Sequence, residues 1–355
     1  SRDRGPGGTM GKKLVGLDIG STAIRAVEVE NPHLQKPTVL RFGEVPLPEG
    51  AVRAGEVIDS ATVTASIKKL WSANGFRTRD VVMGFGNSKV VARDVTVPRL
   101  PLNQVRESLP FQVQDLLPVP ASDALLDFYP AAETQGETGP MLQGMLVAAI
   151  KAPVLVNVTA ASAGGVTPVN VDLSPFALTR LFSTPELGSA TTLLVDIGAS
   201  TTTLVALEGH VPHFIRFLPT GGADITKGIS QRLDISTRDA EAIKRSIGVI
   251  AARATPEQRP ALEVSFELVN ETLMAIRATI QYFQNARNNR AIDRIVMTGG
   301  GSQLLGLVET VSEFTKTPAS LPDPFTLSAV SRQLKGTGSP FDMSVALGLV
   351  TGVSA

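Results

Sequence analysis

Two stretches of the chain share one pattern of apolar and polar positions. Residues 12–30 (KKLVGLDIGSTAIRAVEVE) and 191–209 (TTLLVDIGASTTTLVALEG) each run through apolar residues into Asp-Ile-Gly. Each then passes small hydroxyl residues and turns apolar again. An apolar run, a glycine turn and a second apolar run predict a β-hairpin. One hairpin in each half of the chain predicts two similar domains rather than a short-period solenoid.

The rest of the pattern alternates strand and helix. Residues 38–58 are rich in proline and glycine and fit strands joined by turns. Val63, Ile67, Leu70 and Trp71 have helical spacing and predict a helix over 61–73. Residues 81–83 and 90–97 read as strands. Pro98, Pro101, Pro110, Pro118 and Pro120 punctuate the next stretch, which holds an amphipathic helix over 103–117 that Pro110 should kink or end. The run ETQGETGP at 133–140 reads as a turn or mobile loop, and 145–151 and 169–173 as strands. Past the second hairpin, 216–218 reads as a strand, followed by helices over 223–233, 237–247 and 261–288. In the last, Leu262, Phe266, Val269, Leu273, Ile276, Ile280 and Phe283 form a stripe that suits a helix lying on a sheet better than a coiled coil. A strand over 294–297 runs into Thr298-Gly299-Gly300-Gly301-Ser302 and an apolar helix from Gln303. A short apolar helix covers 341–350.

Composition narrows the function. The 355 residues carry 33 lysines and arginines against 33 aspartates and glutamates, a formal net charge of zero. Such a chain lacks the overall positive field of a general nucleic-acid binder, and no nucleic-acid partner is expected. Hydrophobic residues at 43% and charged residues at 19% suit a globular core. Without cysteine, disulfides, thiolate chemistry and thiolate metal sites are excluded. His210 and His213 read as polar loop residues rather than a metal pair, since nothing nearby completes a ligand set. No apolar run reaches the roughly 18 residues of a membrane span. Residues 1–10 (SRDRGPGGTM) read as an expression scar ahead of a native start near Met10 and are set aside. A cytoplasmic location is expected.

The chemistry sits in the glycine turns. In Asp-Ile-Gly-Ser-Thr, Gly20 allows close backbone approach and positive φ, while successive N–H groups can form a concave anion site. Ser21 and Thr22 add hydroxyl donors. Asp18 would serve through a hydrated Mg²⁺ shared with a phosphate, because that ion keeps several waters and takes few carboxylates. Asp196, Gly198, Ala199, Ser200 and Thr201 repeat the arrangement. Two facing turns with one carboxylate each describe a clamp on a nucleotide tail. Gly299, Gly300 and Gly301, after a strand and before a helix, could lie against a ring or an α-phosphate. No P-loop spacing occurs, GFGNSK at 84–89 reads as a turn, and no general base stands out.

These residues resemble the actin, heat-shock chaperone and sugar kinase superfamily. Residues 17–22 resemble its first phosphate motif, 195–201 its second and 296–302, through Ser302, its adenosine motif. Residues 239–248 (DAEAIKRSIG) resemble the helix from which bacterial actins reach ribose and adenine, with Glu241 and Lys244 at the matching places. Gly221 and Gly222 resemble the glycine pair before that helix, and Arg25 stands where actins carry a phosphate-contacting lysine. Within the superfamily, GLDIGSTAIRAVEVE, VPRLP, LPVP, LLDFYP, VDLSPFAL and FDMSVALGLV are most similar to the PilM family of type IV pilus assembly.

That resemblance implies an α/β, actin-like fold with two ribonuclease-H-like lobes around a nucleotide cleft. The first lobe would take 11–91, 171–190 and about 338–355, a small inserted α/β subdomain 92–170, and the second lobe 191–337. It implies ATP or ADP with Mg²⁺ held by Asp18 and Asp196. The implied partner is the cytoplasmic tail of a PilN-like inner-membrane protein, which would hold the chain at the inner face of the membrane without insertion. Contacts with pilus motor ATPases and self-association stay open. Ser174 replaces the glutamate that chaperones and FtsA carry before the proline matching Pro175. With Asp172 the nearest carboxylate, joining Asp18 and Asp196 as catalytic candidates, the implied hydrolysis is slow or absent. Two alternatives stay open: an FtsA-like division protein, although the ending GLVTGVSA lacks its basic amphipathic helix, and a small-molecule kinase of the same superfamily.

Overall fold

A computed structural model describes residues 11–137, 139–183, 190–287 and 289–353; the expected scar at 1–10 lies outside them. The first hairpin is β1 (Lys13–Ile19) against β2 (Ala23–Glu30), with Asp18 opposite Arg25. β3 (Thr38–Pro46) continues the antiparallel run, and a small ribbon, β4 (Val52–Arg53) and β5 (Glu56–Val57), leads to α1 (Ser60–Asn74). The Asp59 carboxylate accepts from the Thr62 N–H at 3.1 Å to start α1, and Gly75 ends it at φ 64°. Its buried stripe is Val63, Ile67, Leu70 and Trp71, the expected positions. β6 (Asp80–Phe85) then lies parallel to β1.

β7 (Val91–Pro98), α2 (Leu102–Gln112), β8 (Ala124–Gly136) and β9 (Gly139–Ile150) form a separate unit whose three-stranded sheet has the order β7-β9-β8. Val105 and Leu109 of α2 pack on Phe128, Leu142 and Leu146 of that sheet. Two expectations change here. The run 133–140 is not a loop: β8 and β9 pair along their length up to Gly136 opposite Gly139, with Thr138 outside the described residues. Its polar residues belong to an exposed stretch of an edge strand, so polarity mimicked a loop. α2 ends at Gln112, with Pro110 in its last turn, and a 3₁₀ turn at Gln114–Leu116 comes after it.

The chain returns through α3 (Lys151–Ala163), which has no counterpart in the sequence reading, to β10 (Thr167–Leu173), parallel to β6. α4 (Ser174–Phe182) leads away from that strand. β11 (Thr191–Ile197), β12 (Thr202–Glu208) and β13 (Val211–Leu218) repeat the antiparallel run, and α5 (Gly222–Leu233), α6 (Thr237–Ile247) and α7 (Arg259–Ala286) come next. β14 (Arg294–Thr298) lies parallel to β11, as β6 does to β1. The apolar helix expected from Gln303 is a 3₁₀ turn over Gly300–Gln303. The regular helix, α8 (Leu307–Thr315), starts only after Gly306, whose φ of 81° breaks the path. β15 (Ala319–Ser320), β16 (Ala329–Gly336) and α9 (Ser344–Gly348) close the chain.

Two larger sheets result, one ordered β10-β6-β1-β2-β3-β16 and the other β13-β12-β11-β14-β15. Both contain three antiparallel strands with a parallel neighbour on the first. Membership of the six-stranded sheet begins at Thr167 and again at Ala329, earlier than the expected returns at 171 and 338. Pairing across a sheet is long-range, so local pattern did not mark those two joins. One core cluster unites the two sheets through Leu178 and Leu181 of α4 and Ala346 and Leu347 of α9, packed with Val27, Leu194 and Val205. The two glycine turns are thereby mounted on sheets that share one core.

Candidate functional site

Each hairpin turns in the same way. Gly20 N–H donates to the Ala23 carbonyl at 3.0 Å, and Gly198 N–H to the Thr201 carbonyl at 2.9 Å. Neither glycine has positive φ. The reason for glycine is steric, since a Cβ at either place would stand 3.0 Å from that carbonyl oxygen. The N–H groups of Ser21, Thr22, Ala199 and Ser200 find no protein acceptor among the described residues. The tips meet, with the Ser21 and Ser200 hydroxyls 2.5 Å apart.

Beneath the tips lie Asp18 and Asp196. Both keep some exposure at the cleft floor, yet both are deep enough that burial pushes their carboxyls up. Asp196 rises to about 7, first from burial and then from the neighbouring Asp18 charge, with Arg25 opposing and Asp342 adding. A carboxylate whose ionisation is opposed by burial and by a neighbouring carboxylate is suited to holding a cation together with that neighbour. Among the described residues no cluster of three acidic or histidine side chains forms a complete metal site. Asp18 and Asp196 supply two oxygen donors, a set that suits an ion keeping several waters and taking few carboxylates. Arg25 lies beside the first turn and donates through Nε to Glu44 at 2.9 Å, so its guanidinium is oriented from β3.

The second glycine pair is fastened to the second hairpin. Gly222 N–H donates to the Gly198 carbonyl at 2.9 Å and Ala223 N–H to the Ala199 carbonyl at 2.8 Å. A side chain at Gly221 would strike both carbonyls, its Cβ 2.5 and 2.6 Å from their oxygens. Lys244 reaches back from α6. Its Nζ donates to the Gly222 carbonyl at 2.9 Å and to Thr226 Oγ1 at 2.8 Å, and pairs with Glu241 Oε2 at 2.6 Å. Burial pushes Glu241 up, but hydrogen bonds from Lys244, Thr226 and Arg245 outweigh it and hold the carboxyl down at about 2. Burial lowers Lys244, with Glu241 acting against it. Glu241 and Lys244 thus stand beside the glycine pair as a preformed ion pair.

The triplet closes the far side. Gly299 has φ 83°, and its Cβ would fall 2.6 Å from Asp196 Oδ1. A Cβ on Gly300 would fall 2.8 Å from Asp342 Oδ1, and one on Gly301 would press into Ile197. Ser302 behaves differently from its neighbours. It is 1% exposed and its hydroxyl donates to the Thr298 carbonyl at 2.5 Å, so it shapes the turn from inside.

Asp172 also has another task. It pairs with Arg180 at 2.5 Å, and the same guanidinium donates to the carbonyls of Gly348 and Thr351. Asp172, on β10, thus holds the Arg180 guanidinium that ties α4 to the end of α9. Ser174 stands at the start of α4, its Oγ 3.3 Å from where a Gly84 Cβ would be. Asp342 is a site residue that the sequence reading does not find. It accepts from Gln303 Nε2 at 2.8 Å, and burial, its largest influence, raises its carboxyl. The sequence signal there is only an apolar helix, and nothing local tells that the segment before it reaches the glycine triplet.

The chain is 24% identical over 262 residues to the cell division protein FtsA of Bacillus subtilis (strain 168), covering 66% of this chain and 58% of that protein's length. Its structure matches a solved PilM-PilN type IV pilus biogenesis complex with a TM-score of 0.80, 28% identity and coverage of 96% of this chain and 99% of that one. MreB5 of Spiroplasma citri bound to ADP matches with a TM-score of 0.51 at 12% identity, covering 95% and 94% of the two chains, which shows the fold. The fold is therefore actin-like, as the resemblance implied. The model of the family described as type IV pilus assembly protein PilM matches residues 16–349, and the chain belongs to that family.

Proposed function

We propose that the chain binds Mg-ATP or Mg-ADP between its two hairpins and acts as a cytoplasmic scaffold for the tail of a PilN-like membrane protein. One observation carries the nucleotide half: two turns with unclaimed N–H groups meet at Ser21 and Ser200 above the paired carboxylates Asp18 and Asp196. Backbone N–H groups and hydroxyls would hold the phosphates, and the two aspartates would hold the ion that neutralises them. Gly221, Gly222, Glu241, Lys244 and the triplet at 299–301 would receive the nucleoside. A fold neighbour crystallised with ADP agrees with this reading.

The partner half rests on the solved PilM-PilN complex and on where apolar surface lies. Most exposed large apolar side chains among the described residues fall between Leu100 and Val169, including Leu102, Phe111, Leu116, Leu125 and Leu155. A partner tail would cover part of that surface. In this reading attachment at the inner face comes through the partner; no helix among the described residues is long and apolar enough to cross a membrane. With Asp172 tied to Arg180 and Ser174 at the start of α4, no carboxylate of this segment is free to orient a water, and hydrolysis is slow or absent.

Calorimetric titration tests both halves. Mg-ATP and a peptide from the PilN-like tail should each bind the full chain. Peptide binding without nucleotide binding would reduce the clamp to a relic, and nucleotide binding without the peptide would keep the clamp and overturn the partner half.

A further inference from the structure

The three-stranded sheet is not an appendage. One face packs on α2, but the other is built into the core that joins the two large sheets. Met145 and Val147 of β9, 2% and 4% exposed, belong to the same core cluster as Leu178 and Leu181 of α4 and Val205 of β12. Tyr129 of β8 stacks on Phe176 of α4, with ring centroids 5.3 Å apart and planes 23° from parallel. Its hydroxyl oxygen lies 3.5 Å from the carbonyl oxygen of His210, in the turn before β13.

The second contact is with β13 itself. That strand is the edge of the five-stranded sheet, and β7 and β8 lie alongside it. β13 ends at Leu218, just before the Gly221–Gly222 pair. Near its end the Phe217 ring stands 3.0 Å from where a Gly86 Cβ would be, on the other side of the cleft. A change in the separation of the two large sheets therefore has to move β13 or α4 against the small sheet, or carry that sheet along. Packed cores respond to such displacements as units rather than by continuous deformation.

We propose that the small sheet is the output element of the nucleotide cleft: ligand held between the hairpins restrains β7 and β8 through the Tyr129–Phe176 stack and the β13 contact. The partner surface on the outer side would then read the state of the cleft. This inference rests on the nucleotide reading above. Coupling of this kind is reciprocal and reaches partner affinity only through a difference between states.

Hydrogen exchange on the full chain, with and without saturating Mg-ATP, tests it. Calorimetry on the same samples shows separately whether nucleotide binds. The expected result is slower exchange at both hairpin turns and also in β7 and β8, by about fivefold, the lower end of ordinary coupling. Tyr129→Leu should keep the protection at the turns and lose it in β7 and β8, and Phe176→Leu, made from the other side of the stack, should do the same if the first variant folds poorly. Wild-type protection confined to the turns would overturn the coupling and leave nucleotide binding intact. Remote protection that survives in both variants would overturn the role of the stack. No heat and no protection would overturn the nucleotide reading and the coupling with it.

Discussion

Ser21 and Ser200, 179 residues apart in sequence, meet hydroxyl to hydroxyl at 2.5 Å across the cleft. Each sits at the tip of a hairpin whose strand carries an aspartate. The contact places Asp18 and Asp196 under one roof, where burial raises both carboxyls and the Asp18 charge raises Asp196 further.

Removing either carboxylate should weaken nucleotide binding. For Asp18→Ala and Asp196→Ala, calorimetry with Mg-ATP should show at least about a tenfold loss of affinity, roughly 1.4 kcal/mol. Circular dichroism should remain that of the native fold. Unchanged affinity in both variants would sink the clamp.

The same pair gives a pH dependence to the ligand-free chain. Asp196 is raised to about 7 in the fold from its ordinary value of 3.8, so between those values the folded state holds a proton that the unfolded state has released. The stabilisation is fully present below the unfolded value and is lost as pH rises through about 7. Thermal melts of the ligand-free protein should fall between about pH 4 and pH 7, and Asp196→Asn should flatten that fall. An equally steep profile in the variant would assign the effect to other groups.

The triplet can be tested by bulk. Gly300→Val places carbon at a point only 2.8 Å from Asp342 Oδ1. Nucleotide affinity should drop by about tenfold or more, roughly 1.4 kcal/mol, because the added side chain narrows the nucleoside side of the cleft. Normal affinity would show that the triplet serves only to turn the chain.

Asp172 separates anchoring from catalysis. Its pair with Arg180 is partly exposed, at 19% and 30% for the two side chains. Asp172→Asn should cost about 1–2 kcal/mol in urea unfolding, the discounted worth of a half-buried charge-assisted bond. Mg-ATP affinity should not change. A loss of nucleotide affinity with stability intact would return Asp172 to the site.

Near-neighbour chemistry was legible without a structure. The hairpins around Gly20 and Gly198 announce themselves because alternation and a glycine turn are properties of a few consecutive residues. The buried stripe of α1, the span of α6 and the long helix α7 come from side chains three and four apart. The polar β8–β9 turn misled for the same reason, because an exposed edge strand and a loop have the same local composition.

The amino-acid sequence by itself determined where the chain turns, which residues alternate into cores, and that one phosphate-turn pattern occurs twice. Only the tertiary structure decided which charges share a site. Asp342 comes to Gly300, Arg180 takes Asp172, and Ser302 turns inward to Thr298. β16 joins β3 across most of the chain, and the small sheet is seated on the core shared by the two large sheets. Each of these depends on long-range packing that brings distant segments into contact. Backbone propensity is set within a turn or two of chain, whereas a carboxylate's partner is set by whatever the fold places a few ångströms away.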